Sequence, residues 1–180
     1  MNKTGQTLLL NFLICSFATA QIVSFPGDKS SVKSPDGNYI VCNIEIPVKE
    51  GAPNHLLFLK DLKKKTRHKL LAYGRYIDAL WSPDSKTVAI NDHIGSDLTD
   101  CLLFRVARPS EPISIKKEIE YYIEINKHVS GDHHSYITAV SWIDSVSLKL
   151  NIQSYGDVDP DGFDSTYTYD MREGFRSIKR

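Results

Sequence analysis

The sequence predicts an all-β fold made of three consecutive antiparallel units. A Ser-Pro-Asp turn occurs at Ser34–Asp36 and again at Ser82–Asp84, and a related turn without the proline follows at Trp142–Ser145. Short apolar runs flank each turn, and their apolar residues do not recur at the 3.6-residue period of a helix. We therefore expect about four short strands in each unit. The expected units are residues 30–76, 77–135 and 136–180.

The first unit has the clearest turn. Proline presets φ in Ser34–Asp36, aspartate accepts a backbone hydrogen bond two residues on, and Gly37 can adopt a positive φ. The runs Tyr39–Ile46 and, in the second unit, Val88–Ile90 are apolar at consecutive positions, which favours strands buried on both faces. The charged run Lys60–Lys69 separates two apolar runs, so we expect a solvated hairpin turn there.

The second unit keeps the register of the first. Leu102–Phe104 lies 46 residues after Leu56–Phe58 and has the same residue types. Ser85 and Ser145 occupy the place of Gly37 in the later turns. Because serine carries a side chain, we expect both to avoid a positive φ.

The second unit is also longer than the first, and the extra length lies in Arg108–Tyr136. Within it, Ile115, Ile119 and Tyr122 follow one another at helical spacing, but the whole run Ile113–Ile125 also suits a strand. We predict a strand for this run.

Four short strands in a repeat of this length are typical of a β-propeller blade. The turn Trp81–Asp84 with an apolar strand after it resembles the repeats of TolB-like, WD40-like (PD40-type) and prolyl-oligopeptidase-type propellers. The resemblance covers about residues 30–180 and implies antiparallel four-stranded blades. Because the chain has three units, which cannot close the ring that such families need, we expect an incomplete or open ring. It also implies a role in binding proteins or peptides, or as a gate beside a catalytic domain.

The first twenty residues have the pattern of a cleaved signal peptide. Lys3 precedes the apolar stretch Leu8–Ala20, which ends in the small-x-small triplet Ala18–Ala20. We therefore expect an exported chain, periplasmic or secreted, that begins at Gln21 and is not an integral membrane protein after processing. An uncleaved membrane anchor is the alternative, and a lipid anchor on Cys15 is less favoured.

Charge and motif content limit the function classes. The chain has 22 Lys and Arg residues against 22 Asp and Glu residues, so no whole-surface field attracts nucleic acid. No Gly-x-Ser-x-Gly nucleophile motif is present. The leading prediction is an exported, non-enzymatic binding or scaffolding module that requires no cofactor and binds a protein or peptide. The alternative is a metal-dependent accessory protein or enzyme.

An acidic segment is the candidate metal site. Asp157, Asp159 and Asp161 stand at alternate positions before a glycine, and Asp164 follows, which resembles the start of a calcium-binding loop. The twelfth position is Thr168 rather than glutamate. A plain hairpin turn is therefore the competing interpretation.

Two further polar segments are candidate binding loops. One holds Asn91, Asp92, His93 and Asp97, and the other holds His128, Asp132, His133 and His134. Imidazole and carboxylate groups can ligate zinc or transfer protons, although the spacing matches no compact metal motif.

Two cysteines remain after processing, Cys42 and Cys101. An oxidising compartment would permit a disulfide between them. Both lie in apolar strand runs, so we predict buried free thiols.

Three blades leave an unpaired edge and an apolar face at each end, which something must cover. A homodimer in which the first and third units meet is one solution. The other is a monomer protected by its own segments. Those segments are Gln21–Lys29, Ile113–Ser135 and the charged residues Arg172, Glu173, Arg176 and Lys179.

Overall fold

The computed structural model describes residues 21–47, 54–131, 133–157 and 160–177. Over these ranges the protein is all-β apart from two short helices, as the sequence predicts. The predicted signal peptide, residues 1–20, lies outside the described residues, so its cleavage stays a prediction. Neither of the two helices in the described ranges is long and apolar enough to cross a membrane.

Thirteen strands and two helices follow one another along the described residues. They are β1 (Val23–Phe25), β2 (Ser31–Lys33), β3 (Tyr39–Glu45), β4 (His55–Asp61), β5 (Thr66–Tyr73), β6 (Tyr76–Trp81), β7 (Thr87–His93), β8 (Leu98–Arg105), β9 (Arg108–Ser114), α1 (Ile115–Ile119), α2 (Ile123–Val129), β10 (His134–Trp142), β11 (Ser147–Tyr155), β12 (Phe163–Asp170) and β13 (Gly174–Ser177).

Consecutive strands pair antiparallel in three runs, β2–β5, β6–β9 and β10–β13. Backbone hydrogen bonds group these runs into two open sheets. One contains β2–β5, and the other has the order β1-β6-β7-β8-β10-β11-β12-β13, with β9 paired to β8. The structure therefore confirms the all-β prediction but not three separate sheets. The reason is a short parallel pairing, in which Leu98 and Thr99 of β8 lie beside Ser135 and Tyr136 of β10.

The first two predicted turns form with the same hydrogen bonds. In each, the serine hydroxyl donates to the aspartate two residues on and accepts from the N–H five residues on, at 2.6 and 3.0 Å for Ser34 and at 2.8 and 3.0 Å for Ser82. Gly37 adopts a φ of 72°. The expectation that Ser85 avoids a positive φ is wrong, because its φ is 63°. Its hydroxyl accepts a hydrogen bond from the Asp36 N–H of the first turn at 2.9 Å, which holds the two turns together.

The run β6–β9 is a middle layer with an apolar cluster on each face. On one face, Ile90 packs in a cluster with Leu57 of the first run and with Phe25 of β1. On the other face, Ala89 packs in a cluster with Leu150 of the third run and with the two helices. Successive side chains of a strand point to opposite faces, so one apolar strand serves both clusters.

Burial on both faces is confirmed for Val88–Ile90, whose three side chains are fully buried. For Tyr39–Ile46 the prediction is only partly correct. Val41 is fully buried against the middle layer, whereas Ile40 and Ile44 are half-buried. Ile40 and Ile44 face away from that layer, and on this outward face Cys42 between them is buried.

The strand predicted for Ile113–Ile125 is wrong beyond Ser114. The chain there forms α1 and α2, and the Ser114 hydroxyl accepts a hydrogen bond from the Lys117 N–H at 3.2 Å as an N-cap. Ile115 and Ile119 are fully buried on one face of α1, so their helical spacing was the correct signal.

The remaining local predictions hold. Lys60–Lys69 forms the β4–β5 hairpin, and Asp61 accepts hydrogen bonds from the Lys63 and Lys64 N–H groups inside the turn. Cys42 and Cys101 are buried free thiols, as predicted.

Candidate functional site

Six hairpin turns at one end of the described fold surround a cavity of about 780 Å³. The antiparallel order places every second turn of each run at the same end, so the turns of all three runs meet there. One lining residue from each turn shows this convergence. In chain order they are Asp36, Lys64, Ser85, Val106, Ser145 and Met171.

The cavity lining combines apolar and hydrogen-bonding side chains. Tyr39, Leu59, Val106, Pro109 and Met171 contribute apolar surface. Hydroxyl groups come from Thr66, Ser85 and Thr87. A concave site with an apolar wall and a few polar groups is the usual form of a binding pocket, and its volume suits a ligand of the size of a short peptide.

The Asp36 carboxylate at the cavity is already engaged by its own turn. It accepts hydrogen bonds from the Ser34 hydroxyl at 2.6 Å and from the Asn38 N–H at 3.0 Å. Burial alone would raise the pKa of Asp36, but hydrogen bonds from Ser34 and Asn38 outweigh it and lower the pKa to about 2. Asp36 therefore stays ionised as a structural acceptor.

The other two carboxylates at the cavity have cationic partners. Lys64 Nζ lies 3.8 Å from Asp61, and Lys86 Nζ lies 3.4 Å from Asp84. Both lysines are strongly exposed, so these pairs add little stability. Their effect is to balance the charge of each turn locally.

Arg105 differs from these lysines. It is the last residue of β8, it lines the cavity, and its Nε is buried without a hydrogen-bond partner. Over the described residues, its guanidinium forms no ion pair. A buried donor without a partner is rare in folded proteins because its desolvation is uncompensated. Arg105 is thus an unmatched cation at the cavity wall.

Sequence reasoning missed Arg105, although the repeat contains a signal for it. The expected correspondence of Leu102–Phe104 with Leu56–Phe58 is wrong, because Tyr39 pairs with Asp61 and its equivalent Thr87 pairs with Arg105. The counterpart of Arg105 in the first run is therefore Asp61, and a cation at a position that is acidic in the other copy is a departure from the repeat. Both residues line the same cavity.

The first set of binding-loop candidates lies at the opposite end of the sheet. Asn91, Asp92 and His93 belong to β7 rather than to a loop, because the strand continues to His93. Asn91 is buried, and its amide bonds both backbone groups of Ala139 in β10, at 2.7 and 3.1 Å. Asp97 does lie in the loop before β8, where its carbonyl accepts from the Ser135 N–H.

His93 is fixed by neighbours on both ring nitrogens. Its Nε2 lies 2.9 Å from Asp78, its Nδ1 lies 3.1 Å from the Thr99 hydroxyl, and its ring stacks on Tyr76. A smaller cavity of about 260 Å³ adjoins this group. These contacts fix the position of the His93 ring, and ligand binding at it stays a prediction.

Asp92 has an unfavourable environment. Burial and the charge of Asp100, which lies directly opposite on β8, raise the pKa of Asp92 to about 6. The Asp100 carboxylate accepts from the Ser114 hydroxyl and the Lys116 N–H, so it supports the start of α1. Asp92 makes no comparable hydrogen bond to a described residue.

The structure does not bring the second set of histidines together. His128 stacks on Phe163 with ring centroids 4.1 Å apart, and His134 stacks on Tyr155 at 4.1 Å. His133 lies 3.0 Å from Asp157. Asp132 lies outside the described residues. Among the residues that are described, no group of three potential ligands is close enough to hold a metal ion.

The acidic segment Asp157–Asp164 joins β11 to β12. Asp164 accepts a hydrogen bond from the Gln153 amide at 2.9 Å, and Asp161 is exposed in the turn. Asp159 lies outside the described residues. Calcium binding here stays a prediction, and thermal melts in calcium and in a chelator test it.

No model of a protein family matches the chain, and no curated protein matches it. Among solved structures, TolB from Acinetobacter baumannii is similar over 82% of this chain, with a TM-score of 0.43 and 11% sequence identity. The match covers 31% of the TolB chain, so this chain spans about a third of that protein's length.

Proposed function

We propose that the protein is an exported, non-enzymatic binding module of β-propeller type, whose cavity receives a protein or peptide segment. The observation that carries this proposal is the convergence of six hairpin turns on one cavity. Turns vary in sequence without disturbing the sheets they connect, so a ring of turns is a usual place for recognition.

The blade-like interpretation rests on how the three antiparallel runs pack. The middle run is covered by apolar clusters on both faces, as expected for neighbouring blades. The binding role, rather than catalysis, is supported by the use of Asp36, Asp61 and Asp84, whose carboxylates hold their own turns. Export is supported by the leader pattern before Gln21. Amino-terminal sequencing of the exported protein should begin at Gln21, and a chain that retains Met1 contradicts this.

A blocking variant tests the cavity directly. Ala107 is exposed in the β8–β9 turn and lines the cavity, so Ala107→Trp should fill part of it without disturbing the core. Peptides selected by display on the purified protein should bind at least about 10-fold more weakly to this variant. Thr166→Trp is the matched control, because Thr166 is exposed on β12 away from the cavity. Failure to select any peptide, or equal binding to both variants, overturns the proposal.

A further inference from the structure

We propose that the cavity recognises a peptide carboxylate through Arg105, an inference that rests on the binding function proposed above and names the chemistry of its ligand. The Nε of Arg105 is buried without a partner, and its guanidinium has no ion pair among the described residues. An arginine that served only to hold the fold would be paired with an acid or with backbone carbonyls.

The geometry of a guanidinium explains why a carboxylate fits. The two terminal nitrogens form a planar fork of two parallel N–H donors, which matches the two oxygens of a carboxylate. The Nε of Arg105 is closed to solvent, so a ligand in the cavity would meet the terminal nitrogens rather than Nε. A bound carboxylate would supply the missing negative charge.

The other charges at the cavity favour a single negative charge over a double one. Asp61 and Asp84 are balanced by Lys64 and Lys86, as described above. Asp36 adds a negative charge that is held by neutral donors. Among the described lining residues Arg105 is the one arginine or lysine without an acidic partner, and His68 is the remaining basic side chain. A phosphate group with two charges would need a second unpaired arginine or lysine beside the Asp36 carboxylate, whereas a carboxylate needs only Arg105.

The apolar wall indicates what accompanies the carboxylate. Val106 is the next residue after Arg105, and Tyr39, Pro109 and Met171 line the same cavity. We therefore expect the ligand to present an apolar side chain beside its carboxylate. A peptide C-terminus and an internal acidic side chain both supply this chemistry, and the experiment separates them.

The probe is a set of N-acetylated tripeptides with apolar side chains, each made as the free acid and as the amide. A second amide set carries one internal aspartate. We expect the carboxylate-bearing peptides to bind at least about 10-fold more tightly than the plain amides, as charged hydrogen bonds typically allow. The set that binds identifies the source of the carboxylate. Equal binding of acids, aspartate peptides and plain amides overturns the proposal, and so does the absence of binding by any carboxylate-bearing peptide.

Three variants assign the effect to Arg105. Arg105→Met should remove the preference for carboxylates, and Arg105→Lys should recover only a small part of it, because lysine keeps the charge but lacks the fork. Arg108→Met is the matched control, since Arg108 is exposed, pairs with Glu111 and does not line the cavity. An unchanged preference in Arg105→Met overturns the proposal.

Stability and spectroscopy separate recognition from a structural role. Because the Arg105 side chain bonds nothing in the described fold, Arg105→Met should leave the melting temperature unchanged or raise it. In wild-type protein, the Nε–H resonance of Arg105 should shift on adding acid peptide and not on adding amide. A large loss of melting temperature with no such shift indicates a structural arginine and overturns the proposal. If Ala107→Trp blocks binding while Arg105→Met does not, the binding module stands and only the carboxylate assignment fails.

Discussion

Ser85 shows how one residue can carry both a backbone strain and a contact that compensates for it. Its φ of 63° is unfavourable for a residue with a side chain, yet its hydroxyl bonds the Asp36 N–H of the neighbouring turn. Serine at this position therefore links two units at a local cost. Glycine, which occupies the same position in the first turn, would remove the cost and the link together.

Two substitutions at Ser85 separate these contributions. Ser85→Ala keeps the strain and loses the hydrogen bond, so it should lower the free energy of unfolding by about 1 to 2 kcal/mol. Ser85→Gly loses the same bond but relieves the strain, so its effect should be smaller by about 1 kcal/mol. Urea unfolding of both variants measures the difference. Equal destabilisation would show that the positive φ costs nothing here.

Asp92 should destabilise the protein at neutral pH. Its folded-state pKa, raised to about 6 by burial and by Asp100, exceeds the ordinary unfolded value. The native state therefore carries an unfavourable charge above pH 6, and this cost falls as the pH approaches about 4, where the native state is protonated and the unfolded state is about half protonated. Asp92→Asn should raise the free energy of unfolding by about 2 kcal/mol at pH 7.5 and by about 0.5 kcal/mol or less at pH 4.

Urea unfolding at the two pH values checks this expectation. Asp97→Asn is the control, because Asp97 is exposed in the adjacent loop and its removal changes the net charge equally. A gain of the same size at both pH values, or in both variants, would contradict the assigned cause.

At the scale of elements, the Asn91 side chain replaces backbone pairing between two strands. Its side-chain amide bonds the N–H and the carbonyl of Ala139, so it connects β7 to β10 where the two strands do not pair. Asn91→Ala would leave two backbone groups of a buried site unpaired. We expect a loss of about 2 to 4 kcal/mol in the free energy of unfolding.

Hydrogen exchange at the Ala139 amide gives a local measure of this link. In Asn91→Ala, protection of that amide should fall by more than that of the paired amides in β11. Asn151→Ala is a matched control on a half-exposed position of β11. Unchanged protection at Ala139 would show that another group replaces the asparagine.

The elements that the sequence predicts well are those set by local chemistry. The Ser-Pro-Asp turns and the Lys60–Lys69 hairpin depend on residues within a few positions of each other, so pattern and structure agree. Helix α1 was open to prediction from Ser114 and the spacing of Ile115 and Ile119, but the apolar content of the run favoured a strand. The β8–β10 pairing depends on how distant units dock, which no local pattern encodes.

The candidate site also has features that the sequence shows and features that only the structure shows. Arg105 itself is visible in the sequence as a cation that follows the apolar run Leu102–Phe104. Its lack of a partner is not visible, because that depends on which side chains the other five turns bring to the cavity. The histidines are the opposite case, in which a cluster in the sequence is not a cluster in the structure. His133 and His134 are adjacent in sequence but form no shared site, because His133 precedes β10 and lies beside Asp157, whereas His134 begins β10 and stacks on Tyr155.

For the whole molecule, the two outer layers differ in character. The outward face of the third run carries polar residues of β11 and β12, among them Lys149, Gln153 and Thr166. The outward face of the first run holds half-buried Ile40, Ile44 and Phe58, with Arg67 4.5 Å above the Phe58 ring. A two-fold dimer in which the first and third units meet would press a polar face against an apolar one.

We therefore expect a monomer. Light scattering over a wide range of protein concentrations should give the mass of one chain throughout, because an interface between unlike faces buries little matched apolar surface. A mass that doubles with concentration would contradict this and restore the dimer. The segments expected to protect the ends have the following places. β1 covers the edge of β6, α1 and α2 pack between the second and third runs, and Arg172 and Arg176 bind Asp170 beside the edge strand β13.

The position of β1 also bears on the order in which the chain can fold as it is synthesised. Val23–Phe25 pairs with residues of β6 that lie 52 to 56 positions later, whereas most other antiparallel partners in the fold are joined by short hairpins. A growing chain delivers its amino-terminal strand first, but the partner emerges only after the entire first run. Until then Phe25, which is fully buried in the folded protein, lacks the β6 strand with which it pairs. Non-local pairings form slowly, so β1 would pair with β6 only at the end of folding. In the meantime the newly made chain would expose an apolar segment that can aggregate.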